Sequence, residues 1–185
     1  LHPDFIKKIE TPYYYTEETD IQSLIKPRLK FSHKGNYGRA FIIAGSKGMM
    51  GAAVLAAKAC LRSGAGIVEL HIPESGYQII QSCVNEALCS CDSHMDMITE
   101  IKPDKILKAN AIAVGPGLGT QPDTVKALNA LIKHSHQSLV FDADAINIIA
   151  DNKTWLEFLP AYCIFTPQPK EFERLAGKTQ NSFQR

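Results

Sequence analysis

Short apolar runs recur along the chain, each bounded by glycine, proline or polar turn residues. Continuous apolar runs of this kind are typical of strands that are buried on both faces of a sheet. On this pattern we predict strands at residues 40–44, 67–72, 87–91, 111–114, 139–141 and 162–165.

The segments between these runs carry helix patterns. Small apolar residues fill 51–62, where Lys58 and Arg62 are the only charges, so we predict a helix pressed closely onto a sheet. Pro122 suits the first turn of a later helix, and Gly177 suits the C-terminal cap of another. The predicted helices are 51–62, a segment from the 73–76 turn to 84, 122–134, 155–159 and 170–176, with the ambiguous stretch 92–108 offering two more at 96–101 and 103–107.

Strands that alternate with helices imply right-handed crossovers and a parallel sheet. We therefore predict an α/β fold of three layers, with a mostly parallel central sheet and helices on both of its faces. At 185 residues and 45% hydrophobic content the chain can bury a substantial core. Ligands of such folds bind at the carboxyl ends of the strands, so the loops that follow the strands are the candidate site.

The first 30 residues differ from the rest, because they contain Pro3, Pro12 and Pro27 and show no sustained periodicity. We interpret residues 1–30 as a linker or arm and residues 31–185 as part of one domain. The aromatic run 13–15 is too apolar for a free tail, so we expect it to pack on this domain or on a neighbouring subunit.

Charge and cysteine content narrow the partner and the compartment. The formal net charge is +1, with 20 basic and 19 acidic side chains spread evenly, which disfavours nucleic acid and anionic lipid as partners. No apolar run approaches the roughly 20 residues of a membrane span, so we expect a small-molecule partner. The five cysteines suit buried, reduced thiols and a cytoplasmic protein, and the Cys89–Cys91 pair lacks the further ligands of a zinc site.

Gly45, Gly48 and Gly51 form a glycine-punctuated turn between the first predicted strand and its helix. Free N–H groups at such a helix start can bind an anion or a polar ligand, although the spacing matches neither the dinucleotide fingerprint nor a phosphate-binding P-loop. The pattern leaves ligand binding and a purely structural turn both open. Lys34, in the polar turn before the first strand, could reach a phosphate, but a solvated side chain is favoured.

Three later strands also end in unusual loops. Gly115, Gly117 and Gly119 would let a ligand lie against bare backbone, or they serve a tight turn. Asp142 and Asp144 follow a buried strand, where a carboxylate could orient a hydroxyl, hold Mg²⁺ through water or cap the next helix. Asn147 closes the same segment, and Gln168 lies between two prolines that stiffen its loop. We expect these loops to converge on one crevice.

Several motifs, taken in chain order, resemble those of the NAD(P)H-hydrate dehydratases, a ribokinase-like family. They run from about residue 33 to the end of the chain. The matching segments are 33–38 (HKGNYG), 42–53 (IIAGSKGMMGAA), 62–66 (RSGAG), 113–120 (AVGPGLGT), 142–147 (DADAIN) and 166–175 (TPQPKEFERL).

The resemblance implies repair of damaged nicotinamide cofactor. The substrate would be the S-form 6-hydrate of NADH or NADPH, and ADP or ATP with Mg²⁺ would phosphorylate the ring hydroxyl, which then leaves as phosphate. By position, Ala52 and Gly117 match residues that bind the hydrate. Gln168 falls where many bacterial members have His, so hydrogen bonding persists without an imidazole proton. The same resemblance places a site-lining segment at Pro169, Lys170, Glu171, Phe172, Glu173 and Arg174.

The resemblance also implies parts that this chain does not contain. The family's nucleotide-contacting segment and the later loop with its base aspartate would lie beyond Arg185. We therefore expect residues 31–185 to be the N-terminal two-thirds of the domain, with no catalytic residue, no metal ligand set and no measurable dehydratase activity of its own.

Two other functions remain open on the sequence. A ribokinase-like kinase for a vitamin or sugar alcohol would share the fold and release a phosphorylated product. A non-catalytic nucleotide-binding fragment would bind without turnover. The resemblance further suggests a homo-oligomer and, in bifunctional members, an epimerase domain fused before residue 1.

Overall fold

A computed structural model describes residues 3–8, 10–11, 14–25 and 27–181. The chain forms two units, residues 1–32 and residues 33–185. The first unit contains two short helices, α1 (Pro3–Lys8) and α2 (Glu18–Leu24), which the sequence pattern did not predict. Tyr14 and Tyr15 are 94% and 89% exposed. Pro12 and Tyr13 lie outside the described residues, and the packing of the aromatic run stays a prediction.

The second unit is built on one six-stranded sheet in which every neighbouring pair of strands is parallel. The strand order is β3-β2-β1-β4-β5-β6, so β1 and β4 form the centre. The six predicted strands are all present, with small differences at their ends. Their bounds are β1 (Arg39–Ile43), β2 (Ile67–Ile72), β3 (Leu88–Cys91), β4 (Ala111–Val114), β5 (Leu139–Phe141) and β6 (Ile164–Phe165).

Six α-helices are described in this unit: α3 (Met50–Arg62), α4 (Tyr77–Cys83), α5 (Pro103–Lys108), α6 (Pro122–His134), α7 (Ala143–Asp151) and α8 (Pro169–Ala176). Short 3₁₀ turns occupy Lys34–Tyr37, Glu74–Gly76 and Lys153–Phe158. The prediction for 155–159 therefore marks a 3₁₀ turn rather than an α-helix. The bounds of α7 were not predicted, although a helix capped by Asp142 or Asp144 was one of the interpretations left open, and Asp142 is the N-cap residue of α7.

The helix predicted at 96–101 is wrong. Residues 92–102 form an extended loop, which we call the 92–102 loop. Its backbone N–H groups at Thr99 and Glu100 donate to the Asp92 carboxylate at 2.6 and 3.0 Å instead of to carbonyls one helical turn back. A buried carboxylate that takes these donors removes the hydrogen bonds on which a helix depends.

Two apolar clusters flank the sheet, because successive residues of a strand point to opposite faces. Phe41 and Ile43 of β1 pack with apolar residues of α5, α6 and α7, whereas Ile42 packs with those of α3 and α4. This arrangement confirms the three-layer α/β fold. On the α3 face Ile164 of β6 is 56% exposed, so the α3 face is covered less fully at β6 than at the centre.

The amino-terminal edge of the sheet is closed by backbone contacts. Gly66 donates its N–H to the Tyr37 carbonyl at 3.0 Å, and a Cβ atom on Gly66 would collide with the Lys34 carbonyl oxygen. Lys34 therefore lies at the edge opposite to the strand ends where ligands of parallel sheets bind.

Candidate functional site

The four strands that are predicted to end in unusual loops are consecutive neighbours in the sheet. They are β1, β4, β5 and β6. Because all neighbouring pairs are parallel, the carboxyl ends of these strands stand in a row along one edge. The glycine turn after β1, the glycine turn after β4, the aspartates after β5 and the Gln168 loop after β6 follow in that order.

The two glycine turns are hydrogen-bonded to each other. Gly45 donates its N–H to the Pro116 carbonyl at 2.9 Å, and the Ser46 hydroxyl donates to the Gly117 carbonyl at 2.8 Å. Ser46 is 8% exposed, so the bond is shielded from water. Gly45 has a φ of 87°, a conformation that glycine adopts without strain. The turns therefore form one connected backbone surface at the centre of the strand edge.

Ala52 and Gly117 are in direct proximity. Gly117 has a φ of 63°, and a Cβ atom placed on it would lie 2.7 Å from the Met49 carbonyl oxygen and 3.1 Å from the Ala52 Cβ. The start of α3 thus packs against the bare backbone of the second glycine turn. The small side chain of Ala52 and the absent side chain of Gly117 allow this close packing.

The aspartates after β5 are tied to the loops on either side of them. Asp144 accepts the Gly119 N–H at 2.9 Å, and Asp142 accepts the Thr166 hydroxyl at 2.8 Å. Asp142 occupies the N-cap position of α7 without a capping bond from its side chain. Between them Ala143 adopts a left-handed φ of 46°, which costs energy for a residue with a Cβ atom. Asp144 therefore faces the loop after β4, and Asp142 faces the loop after β6.

Gln168 stands at the end of β6, two strands away from β4. Its side chain is exposed, and its backbone N–H donates to the Glu171 carboxylate at 2.8 Å at the start of α8. Arg174, later in α8, donates to the Asn147 side chain at 2.9 Å. The structure thus brings Ala52 to Gly117 and Asn147 to Arg174, whereas Gln168 and residues 169–173 are placed at the far end of the same edge.

A cavity of about 440 Å³ opens beside the glycine turns. The 92–102 loop forms one wall of it, and the sequence interpretation missed this contribution. Lys47 donates its backbone N–H to the Asp96 carbonyl at 2.8 Å, and its ammonium lies 3.2 Å from the Asp96 carboxylate. The residues lining the cavity are Ser46, Lys47, Met49, His94, Asp96, Met97, Leu118, Gly119 and Gln121. The signal that was available is Asp92, a carboxylate placed directly after a strand at this edge.

The cysteines and the possible metal ligands add little to the candidate site. Burial, followed by the nearby charge of Glu74, raises the pKa of Cys91 to about 11, and burial also raises the pKa of Cys89, so both thiols stay protonated. Within the described residues no group of three or more His, Cys, Asp or Glu side chains could hold a metal ion directly. No described helix is both long and apolar enough to span a bilayer.

The fold and the site at the carboxyl ends of its strands together define a ribokinase-like α/β protein. A ribokinase-like superfamily protein from Enterococcus faecalis matches it with a TM-score of 0.75 at 25% identity, over 90% of this chain and 60% of the other. The ADP/ATP-dependent NAD(P)H-hydrate dehydratase of Bacillus subtilis, co-crystallised with ATP and Mg²⁺, matches with a TM-score of 0.67 at 27% identity, over 87% of this chain and 55% of the other.

The family model of NAD(P)H-hydrate dehydratases matches residues 40–185, and the chain belongs to this family. The ADP-dependent (S)-NAD(P)H-hydrate dehydratase of Staphylococcus aureus is 36% identical over 89% of this chain and 58% of its own length. Enzymes named as bifunctional NAD(P)H-hydrate repair enzymes are also among the relatives. The chain thus spans about half the length of the curated relatives that it matches.

Proposed function

We propose that this protein restores NADH or NADPH from the S-form 6-hydrate by nucleotide-dependent dehydration, and that the described residues supply the hydrate side of the site. The observation that carries the proposal is the Ala52–Gly117 contact at the carboxyl ends of β1 and β4. The small residues at this contact keep bulky side chains away from the ends of the strands, and the adjacent cavity of about 440 Å³, which Ser46 and Gly119 help to line, offers space for the substrate.

The chemistry follows from leaving-group ability. Hydroxide leaves poorly from the hydrated ring, whereas a phosphate ester at the same carbon leaves readily. The ring hydroxyl gives up its proton and attacks the terminal phosphorus of the donor, and the P–O bond to the donor breaks and releases the nucleotide with one phosphate fewer. The new phosphate ester then departs as inorganic phosphate with the C–O bonding electrons, and loss of a ring proton restores the double bond. Such a reaction depends on positioning and on stabilisation of the spreading charge. We assign substrate binding and orientation to this chain and no catalytic base.

Within that assignment, Ala52 and Gly117 contact the hydrate, and Gln168 with residues 169–174 lines the β6 end of the site. ADP is the donor that the name of the S. aureus relative indicates. Asp142 or Asp144 would hold Mg²⁺ through water, because each carboxylate keeps one oxygen outside the hydrogen bonds described above and Mg²⁺ binds one or two carboxylates together with water and substrate phosphates. Bound there, the ion would neutralise charge on the donor phosphates.

The decisive experiment measures both binding and product. Calorimetric titration of this chain with NADH hydrate, and with NADH as the control ligand, tests the substrate-side assignment. The protein expressed from its complete reading frame is then incubated with the hydrate, Mg²⁺ and either ADP or ATP. We expect the reduced-nicotinamide absorbance to rise with release of inorganic phosphate. A stable phosphorylated product in place of phosphate would show a ribokinase-like kinase instead.

A further inference from the structure

Asp92, the residue directly after β3, is a buried carboxylate that the proposed reaction does not use. It is 1% exposed and accepts four hydrogen bonds from the loop that it begins. The donors are the N–H of His94 at 2.8 Å, the N–H and the hydroxyl of Thr99 at 2.6 and 2.8 Å, and the N–H of Glu100 at 3.0 Å. A carboxylate can accept all four bonds because both of its oxygens are acceptors.

His71 of β2 fixes the end of the same loop. Its ring is 1% exposed, and its Nε2 lies 2.7 Å from the Glu100 carbonyl, while its Nδ1 lies 3.2 Å from the Ser90 hydroxyl. A carbonyl only accepts hydrogen bonds, so Nε2 carries the proton. The loop is therefore held at its start by Asp92 and near its end by the ring of His71.

The middle of the loop reaches across to the ligand cavity. The Asp96 carbonyl accepts the Lys47 N–H, and the carbonyls of His94 and Met95 accept the N–H groups of Glu74 and Ser75 at 3.1 Å each. The segment 94–97 thus has a defined path between the glycine turn after β1 and the turn after β2. It presents His94, Asp96 and Met97 to the cavity beside Gly119.

We propose that Asp92 is a positioning residue for the ligand cavity: it holds the 92–102 loop so that His94, Asp96 and Met97 form the cavity wall opposite Lys47. The identity of the ligand, the NADH or NADPH hydrate, rests on the proposed function. The carboxylate itself touches no ligand. Its effect reaches the cavity through the backbone of the loop.

The test compares Asp92→Asn with Asp104→Asn in the protein expressed from its complete reading frame. Asn keeps the size of the side chain but has one acceptor oxygen, so donors at Thr99 or His94 lose their partner. Asp104 is a matched control, because its carboxylate is 58% exposed and its ion pair with Lys108 is loose at 3.5 Å. For Asp92→Asn we expect KM for the hydrate to rise about tenfold with kcat within about threefold and KM for the nucleotide unchanged. Asp104→Asn should change none of these constants.

A second readout is independent of turnover. Release of the loop frees Lys47 from Asp96, so acylation of Lys47 by an amine-reactive reagent, measured by peptide mass spectrometry, should accelerate severalfold in Asp92→Asn relative to Lys34 in the same molecule. An unchanged KM for the hydrate, or equal losses in all three kinetic constants, overturns the inference. If the wild-type protein consumes no hydrate, the proposed function fails, and the Lys47 acylation rate alone decides whether Asp92 positions the wall.

Discussion

Glycines allow close packing at both ends of the parallel strands, but only those at the carboxyl ends lie beside the cavity. At the amino-terminal edge Gly66 lies against the Lys34 backbone, so the absent side chain allows two segments of chain to touch. At the carboxyl edge Gly117 lies against Met49 and Ala52 at the start of α3, and its neighbour Gly119 lines the cavity. The comparison teaches that a glycine motif identifies a binding site only once its position along the strand is known.

Gly66→Ala, at the amino-terminal ends of the strands, should reduce the stability of the protein more than any other substitution proposed here. The new methyl group collides with the Lys34 carbonyl, and we expect the free energy of unfolding to fall by about 3 kcal/mol in urea denaturation. Gly51→Ala is the control, because it has open space and a helical position and should be neutral or stabilising. Unchanged stability of Gly66→Ala would contradict the close backbone approach.

The structure at the carboxyl ends of the strands should lose stability in acid. Burial acts to raise the pKa of Asp92, but the nearby ring of His71 and the hydrogen bonds from the N–H groups of His94, Thr99 and Glu100 outweigh it and hold the pKa well below its usual range. A depressed pKa stabilises the folded state above the unfolded-state pKa of about 3.9, and this stabilisation is lost as the pH falls below that value.

Urea unfolding of the wild-type protein and of Asp92→Asn from pH 7 to pH 3 measures this effect. We expect the wild type to be more stable by about 2 kcal/mol above pH 5, a typical magnitude for hydrogen bonds to a buried charge, and the difference to shrink below about pH 4. A difference that grows on acidification would reverse the sign and refute the assignment.

Ala52→Leu should separate binding from stability. The larger side chain intrudes on the surface beside Gly117, so we expect the dissociation constant for NADH hydrate to rise about tenfold, or about 1.4 kcal/mol, with the free energy of unfolding nearly unchanged because leucine is a good helix former. Ala59→Leu, at an exposed position of the same helix, is the control. Equal affinities of the two variants in calorimetry would remove Ala52 from the site.

Substitutions of Lys47 and Lys34 should have the smallest effects, but they test most directly at which end of the strands the ligand binds. Lys47→Met removes a cation that lines the cavity. Because the proposed substrate carries dinucleotide phosphates, we expect affinity for the hydrate to fall about twofold to threefold, less so in high salt. Lys34→Met, at the opposite edge, should leave the affinity unchanged. A larger effect of Lys34→Met would mean that the ligand lies at the amino-terminal ends of the strands.

The strands could be predicted because a strand that is buried on both faces consists of a short apolar run. This signal is local and does not depend on distant residues. The Ala52–Gly117 contact was predictable from the family resemblance together with the geometry of parallel sheets. The path of the 92–102 loop was not, because the partners that direct it are a buried aspartate and His71 of another strand. For the same reason the bounds of α7 were not predicted, since the polar residues at its start bond to Gly119 and Thr166 rather than to their own helix.

The pairing of β1 with β4 also affects how the protein folds. The Ser46–Gly117 bond joins residues 71 positions apart, and the described sheet contains no hairpin that could form locally. Closing such long loops costs chain entropy before the contacts repay it, which slows the folding of parallel sheets. The cavity combines segments from both sides of that closure, so affinity for the hydrate should appear late in refolding, after most helical signal has returned.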